Sequence, residues 1–256
     1  MMGKTVYSSL ALLSLFCLSR GARAEGGPPL LTDDPWTPGS NHWEINLAVT
    51  SEVNQDEFRF EAPLADINYG VGEHIQLKYE VPFTVSGGTN QTSQSGLAQS
   101  IAGVKWRFLD KDRVGVAMST YPQVSFRTAG GVPPTSSNSD SKETGTEFLL
   151  PIELEEGAGV FRFNEEFGYH VVQGLNSHYA YGGGVTYSVK DGFLLLGEIH
   201  GESSTSLSES NWVSNFGTVF DMSVHLSLLV SVGRTLVNSD DSSAKYLSYT
   251  GLQFRL

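Results

Sequence analysis

The stretch Phe220–Arg234, FDMSVHLSLLVSVGR, constrains the fold more than any other part of the chain. Met222, Val224, Leu226, Leu228, Val230 and Val232 share one parity; Ser223, His225, Ser227, Ser231 and Gly233 share the other, and Leu229 breaks the pattern. Side chains alternate faces along a strand, so this reads as a ribbon with one apolar and one polar face. At about 100° per residue the same serines would scatter around a helix instead of forming a stripe.

The pattern recurs to the C-terminus. It predicts strands over His42–Thr50, Glu57–Tyr69, His74–Val85, Ala98–Leu109, Arg113–Arg127, Thr146–Glu155, Val160–Val172, His178–Lys190, Phe193–Glu202, Trp212–Phe220, the stretch above, and Lys245–Leu256. Parity slips near Pro63, where a proline favours a bulge. Glu165, Leu194 and Leu196 also sit on the wrong face for their strands.

Connection lengths alternate. Gly70–Glu73, Asp110–Asp112, Glu156–Gly159, Asp191–Gly192 and Asp221 are short. Ser86–Gly96, Thr128–Gly145, Gln173–Ser177, Gly201–Asn211 and Val237–Ala244 are longer and rich in Ser, Asn, Gly and Asp. That alternation means up-and-down neighbours, with the short turns at one end and the long loops at the other. A Greek-key sandwich has no reason to alternate. Aromatic residues fall into two rims. Trp43, Trp106, Phe108, Phe161, Tyr187, Phe193, Phe220 and Phe254 lie toward the short-turn end, and Phe58, Phe83, Phe126, Phe148, Tyr179, Trp212 and Tyr246 toward the other. Two girdles flanking an aliphatic band suit a bilayer. Hydrocarbon forbids an open edge, so the sheet must close. The fold class is therefore all-β: a 12-stranded antiparallel up-and-down transmembrane β-barrel of the outer-membrane type, over residues 42–256.

What precedes the barrel has two parts. Lys4, the apolar run Val6–Leu18 and the Ala22-Arg23-Ala24 signal read as a cleaved secretory signal peptide over residues 1–24. The run is too short to span a bilayer as a helix, which takes about 20 residues. Cleavage removes Lys4, Arg20 and Arg23 and takes the net charge from −12 to −15. So acidic an exported chain is a poor partner for nucleic acid or for anionic membrane surfaces, and no nucleic-acid partner is expected. Cys17, the one cysteine, leaves with the signal peptide, and no cofactor is expected. Residues 25–41, rich in Pro and Gly around Asp33-Asp34-Pro35, read as an irregular N-terminal segment.

The polar faces should line the lumen. The residues assigned there are Arg59, Lys78, Glu80, Lys105, Arg107, Glu153, Arg162, Glu166, His170, Glu198, His200, His225 and Arg234, with Glu61, Glu147, Glu202 and Arg255 adding further charge. Facing charges either pair across the lumen and close it, or line a narrow wet path and set its selectivity. Glu198, His200 and Glu202 share a face and could hold a metal or act as a base, but polar-in alternation demands such residues anyway. The run Gly182–Gly184 has no Lys after it and lies within a strand, so close packing or a bend in the wall explains it better than a phosphate cradle.

Four segments, Leu31–Ala48 (LTDDPWTPGSNHWEINLA), Gly103–Leu109 (GVKWRFL), Tyr121–Phe126 (YPQVSF) and Phe220–Arg234, resemble the outer-membrane barrel family labelled MetA-pathway of phenol degradation. They spread across nearly the whole mature chain, and none is a catalytic signature. The resemblance implies a non-enzymatic outer-membrane channel or transporter for small solutes, aromatic or otherwise hydrophobic. Its partners would be outer-membrane lipid, a small-molecule solute and the barrel assembly machinery. Such barrels commonly end in Phe or Trp, whereas this chain ends in Leu256 with Phe254 two residues earlier. Alternatives are a structural or adhesive barrel with a closed lumen and a barrel-embedded lipid hydrolase.

Overall fold

A computed structural model describes residues 27–89, 91–128, 146–238 and 244–256 of the chain. The expected signal peptide, and most of the expected loops after the fifth and eleventh strands, lie outside the described residues. The strands are β1 (Trp43–Val53), β2 (Glu57–Val71), β3 (Ile75–Gly88), β4 in two pieces (Gln91–Leu97 and Gln99–Leu109), β5 in two pieces (Val116–Thr120 and Gln123–Arg127), β6 (Glu147–Ala158), β7 (Phe161–Val172), β8 (His178–Lys190), β9 (Phe193–Ser204), β10 (Ser210–Ser223), β11 (Leu226–Asn238) and β12 (Tyr246–Arg255).

Every strand is antiparallel to its neighbours in sequence. β1 pairs with both β2 and β12, with Leu47 opposite Ala65 on one side and Leu252 on the other, so the sheet closes into a 12-stranded barrel. Closure satisfies the ladder groups that hydrocarbon could not. Burial is inverted relative to a soluble core. Lys105, Glu153 and Ser227 are at most 1% exposed, while Leu150 is 58% and Phe216 70% exposed on the outer wall. Cross-strand aromatic pairs such as Trp43–Tyr69 (4.6 Å between centroids) and Phe161–Tyr187 (5.1 Å) mark the short-turn rim, and Tyr181–Trp212 (4.7 Å) the other. Short turns need a left-handed residue, supplied by Gly159 (φ 65°) between β6 and β7 and Gly192 (φ 75°) between β8 and β9.

Several strands run two or three residues beyond the expected ends, and three boundaries differ more substantially from the sequence reading. Ser86–Gly96 is not an open loop: β3 continues to Gly88 and β4 starts at Gln91, because Ser, Thr and Gln can extend a hairpin beyond the apolar band. The fifth strand does not start at Arg113. Lys111–Val114 is one helical turn, ended by Gly115 at φ 89°, and β5 begins at Val116. Finally, Phe220–Arg234 is not one strand. The chain reverses at Val224–His225, with Asp221 pairing Ser227 and Ser223 pairing Leu226, so Asp221 lies in β10 and is not the turn. Alternation runs unbroken through this tight turn, so period alone could not locate it. At Pro63 the expected slip is present as a register shift between Glu61 and Leu64. It moves the inward parity from Arg59 and Glu61 to Asp66 and Asn68.

Candidate functional site: the lumen and the segment inside it

The N-terminal segment turns back over the short-turn rim and enters the barrel. At the rim, Asn41 N–H donates to Gly70 O (3.0 Å) and Gly70 N–H to His42 O (2.9 Å). The crossing is possible because Gly70 has no side chain; a Cβ there would lie 1.8 Å from Gly39 O. Irregular backbone inside a barrel carries N–H groups that need partners, and the wall supplies carboxylates. Leu31 and Thr32 N–H donate to the two oxygens of Glu198 on β9, each at 2.8 Å, and Asp33 N–H donates to Glu166 on β7, also at 2.8 Å. Such charge-assisted bonds are stronger than neutral ones.

Lys105 on β4 is the centre of the attachment. Its ammonium lies 2.9 Å from Asp33 Oδ1, 3.8 Å from Asp34 Oδ1 and 3.5 Å from Glu153 Oε2 on β6, and also donates to the Asp34 carbonyl. Glu153 in turn accepts from the Ser119 hydroxyl. The Lys105 ammonium sits 4.6 Å from the Tyr121 ring centroid, and Gln76 ties that phenol to Asn68. Nearer the short turns, Trp36 Nε1–H donates to Glu155 (2.8 Å), which also pairs with Lys111 (3.1 Å), and Arg107 covers the Trp36 ring at 4.7 Å. Arg107 also donates to Glu73 O (2.8 Å) and pairs with Asp110 (3.1 Å).

The wall is shaped for this segment. Thr32 fits against Gly182, where a Cβ would stand 2.2 Å from its hydroxyl; Pro29 lies over Gly217, and its carbonyl accepts from Ser231 (2.6 Å). Leu30 packs on an inward apolar patch that includes Leu194, Leu196, Val219 and Leu229. Three of these leucines are the ones that broke the alternation in sequence. They face inward because an apolar residue of the segment meets them there.

The predicted lumen residues fall into separate places. Lys105, Glu153, Glu166 and Glu198 meet around residues 31–34. Lys78 and Glu80 pair at 2.9 Å, with Asp66 3.5 Å from the same ammonium, and Arg59 pairs with Glu61 at 3.3 Å. Arg162 is inward and half-buried opposite Gly157 and Thr186. His170 faces inward near the loop-end mouth, bonded to Glu147, and His200 faces inward opposite Gly182. Two assignments are corrected. His225 is in the β10–β11 turn, exposed, with its Nδ1 2.9 Å from Arg255 O. Arg234 shares the parity of Val232, stands opposite Ser214 and Tyr246, and is exposed on the outer face near the loop-end rim. Contributors absent from that set are Asp66, Asn46, Glu155, Asn215 and the segment's own Asp33, Asp34 and Trp36. The parity slip at Pro63 signals Asp66, and the Asp33-Asp34-Pro35 run signals the segment.

No protein-family model matches the chain, and no curated protein matches its sequence. Solved structures do match its fold. An outer-membrane channel from Pseudomonas putida F1 superposes with a TM-score of 0.62 at 10% identity, over 91% of this chain and 100% of that one. The NanC porin gives 0.55 at 12% identity, over 83% and 100%. The KdgM porin in complex with disordered oligogalacturonate gives 0.54 at 10% identity, over 82% and 98%. The chain thus shares the architecture of outer-membrane porin-like barrels.

Proposed function

We propose that the protein is a non-enzymatic outer-membrane channel that passes small solutes through a lumen narrowed by its own N-terminal segment. The observation that carries this reading is the two-faced wall: apolar outside, and inside mainly polar and ionic side chains, with one apolar patch under Leu30, holding a non-strand segment. An interior so rich in paired charge is not an oily core, and ionic side chains along the wall can line a narrow path for polar solutes beside the docked segment. The signal peptide would deliver the chain for insertion by the barrel assembly machinery, and the outer wall would then contact lipid. An aromatic cargo is what the family resemblance suggests.

A second reading, a structural barrel with a closed lumen, is favoured by how firmly residues 29–37 are anchored. Swelling of liposomes carrying the refolded mature chain separates the two. Channel function predicts faster swelling with small solutes than with empty liposomes, and an aromatic preference predicts that phenol-sized aromatics enter faster than sugars of equal mass. Swelling no faster than in empty liposomes for every solute would favour the closed barrel.

A further inference from the structure

We propose that Glu147, His170 and His178 form a binding site for one borderline first-row divalent cation, of the zinc class, at the loop-end mouth of the lumen. The site departs from the sequence expectation of a barrel without metal, and it does not depend on whether the lumen conducts. Three consecutive strands build it. His170 on β7 stands directly opposite His178 on β8, and Glu147 on β6 is two residues from Leu149, the other cross-strand partner of His170. The two imidazoles stack with centroids 4.3 Å apart and planes inclined by 15°. The Glu147 carboxylate meets both, hydrogen-bonded to His170 Nδ1 and 3.9 Å from His178 Nε2. One donor atom from each of the three lies within 4.8 Å of the others.

Donors around a tetrahedral zinc are about 3.3 Å apart, given bonds of about 2.0–2.1 Å. Closing these three onto an ion therefore takes side-chain movements of up to about 1.5 Å, with the two stacked rings turning out of parallel so that a nitrogen of each points at the ion. A fourth oxygen is at hand: Glu202 on β9 places Oε2 4.0 Å from His178 Nε2. Two imidazoles with one or two carboxylates suit zinc, copper or nickel, whereas magnesium and calcium need shells of oxygen. The His170, His178 and Glu147 side chains are 15%, 18% and 25% exposed, so an ion can reach them while the wall still fixes their directions.

The test is direct binding to the refolded, chelator-stripped mature chain. Cobalt(II) is added first as a spectroscopic probe and displaced with zinc, and affinity is read by competition with a chromophoric chelator. The site predicts one equivalent per barrel, a cobalt spectrum of low-coordinate type, and no competition from magnesium. His170→Ala and His178→Ala should each weaken zinc binding by at least about tenfold, comparable to the loss when a metal site's supporting residues are changed. Glu147→Gln, which keeps the shape, should weaken it severalfold, and His225→Ala in the opposite turn should leave it unchanged. Heat-modifiable migration confirms that each variant is folded, and if the histidine variants do not fold, Glu147→Gln alone decides. Substoichiometric binding, or zinc affinity unaltered by Glu147→Gln and by the histidine variants that fold, would overturn the proposal.

Discussion

Replacing Lys105 with Met should release the N-terminal segment while leaving the barrel closed. Lys105 is 1% exposed and neighbours Asp33, Asp34 and Glu153; of these, Glu153 is fully buried and Asp34 is 1% exposed. Removing one partner from a buried ionic group costs about 3–5 kcal/mol, because the remaining charges are left without compensation. The barrel need not unfold to relieve that cost. Undocking residues 29–37 lets water reach Glu153 and carries Asp33 and Asp34 away from it. If the docking equilibrium bears the whole loss, it shifts by about two to three and a half powers of ten, at about 1.4 kcal/mol per decade. Protease protection of the segment and single-channel conductance read the same event from two sides. Protection should fall and conductance should rise in Lys105→Met. Adding Glu153→Gln should restore part of the docking, since replacing both partners is far cheaper than orphaning one. A Lys105→Met protein with the native level of protection and conductance would refute the reasoning.

Other outcomes follow from the wall. Gly182→Val should also loosen the segment, since a side chain there collides with Thr32, whereas Gly183→Ala, whose Cβ meets nothing within 4 Å, should not; protease protection distinguishes them. Ile199→Arg, on the outer face at mid-strand, should cost about 2–4 kcal/mol in denaturant unfolding from lipid vesicles, and Ser206→Arg in the β9–β10 connection should cost about 0.5 kcal/mol or less. At the short-turn end, the hydrogen bond from His74, aided by Arg107, holds the Asp110 carboxyl below its ordinary range. A depressed carboxylate stabilises above its unfolded pKa and loses that contribution as pH falls through the folded value. The turn carrying the Arg113-to-Asp110 and Gly115-to-Lys111 backbone bonds should therefore loosen below about pH 4, seen as shifts of those amides in NMR and absent in Asp110→Asn.

The barrel was largely legible in the sequence because its two solvents impose a period of two over long runs, and loop lengths then fix the direction of each strand. Tight turns were less legible: at Val224–His225 the alternation continues through the reversal, and His225 consequently looked like a lumen residue. Arg234 was misplaced because its charge outweighed its parity, although Val232 two residues earlier already put that face outward. The docked segment left only indirect traces. Leu194, Leu196 and Leu229 broke the alternation, and the Gly182–Gly184 run pointed to close packing or a bend without naming what packs there. The leucine patch meets Leu30 and Gly182 meets Thr32, 150 or more positions away, pairings that no local pattern contains.

The central claim is that a polar lumen, narrowed by residues of the same chain, passes small solutes. Single-channel recording of the refolded mature protein in a planar bilayer tests it most directly, with Lys105→Met measured beside it. The account predicts small discrete conductance steps for the native chain and larger steps for the variant. A folded, inserted native barrel that stays silent, and remains silent when Lys105 is replaced, would contradict it.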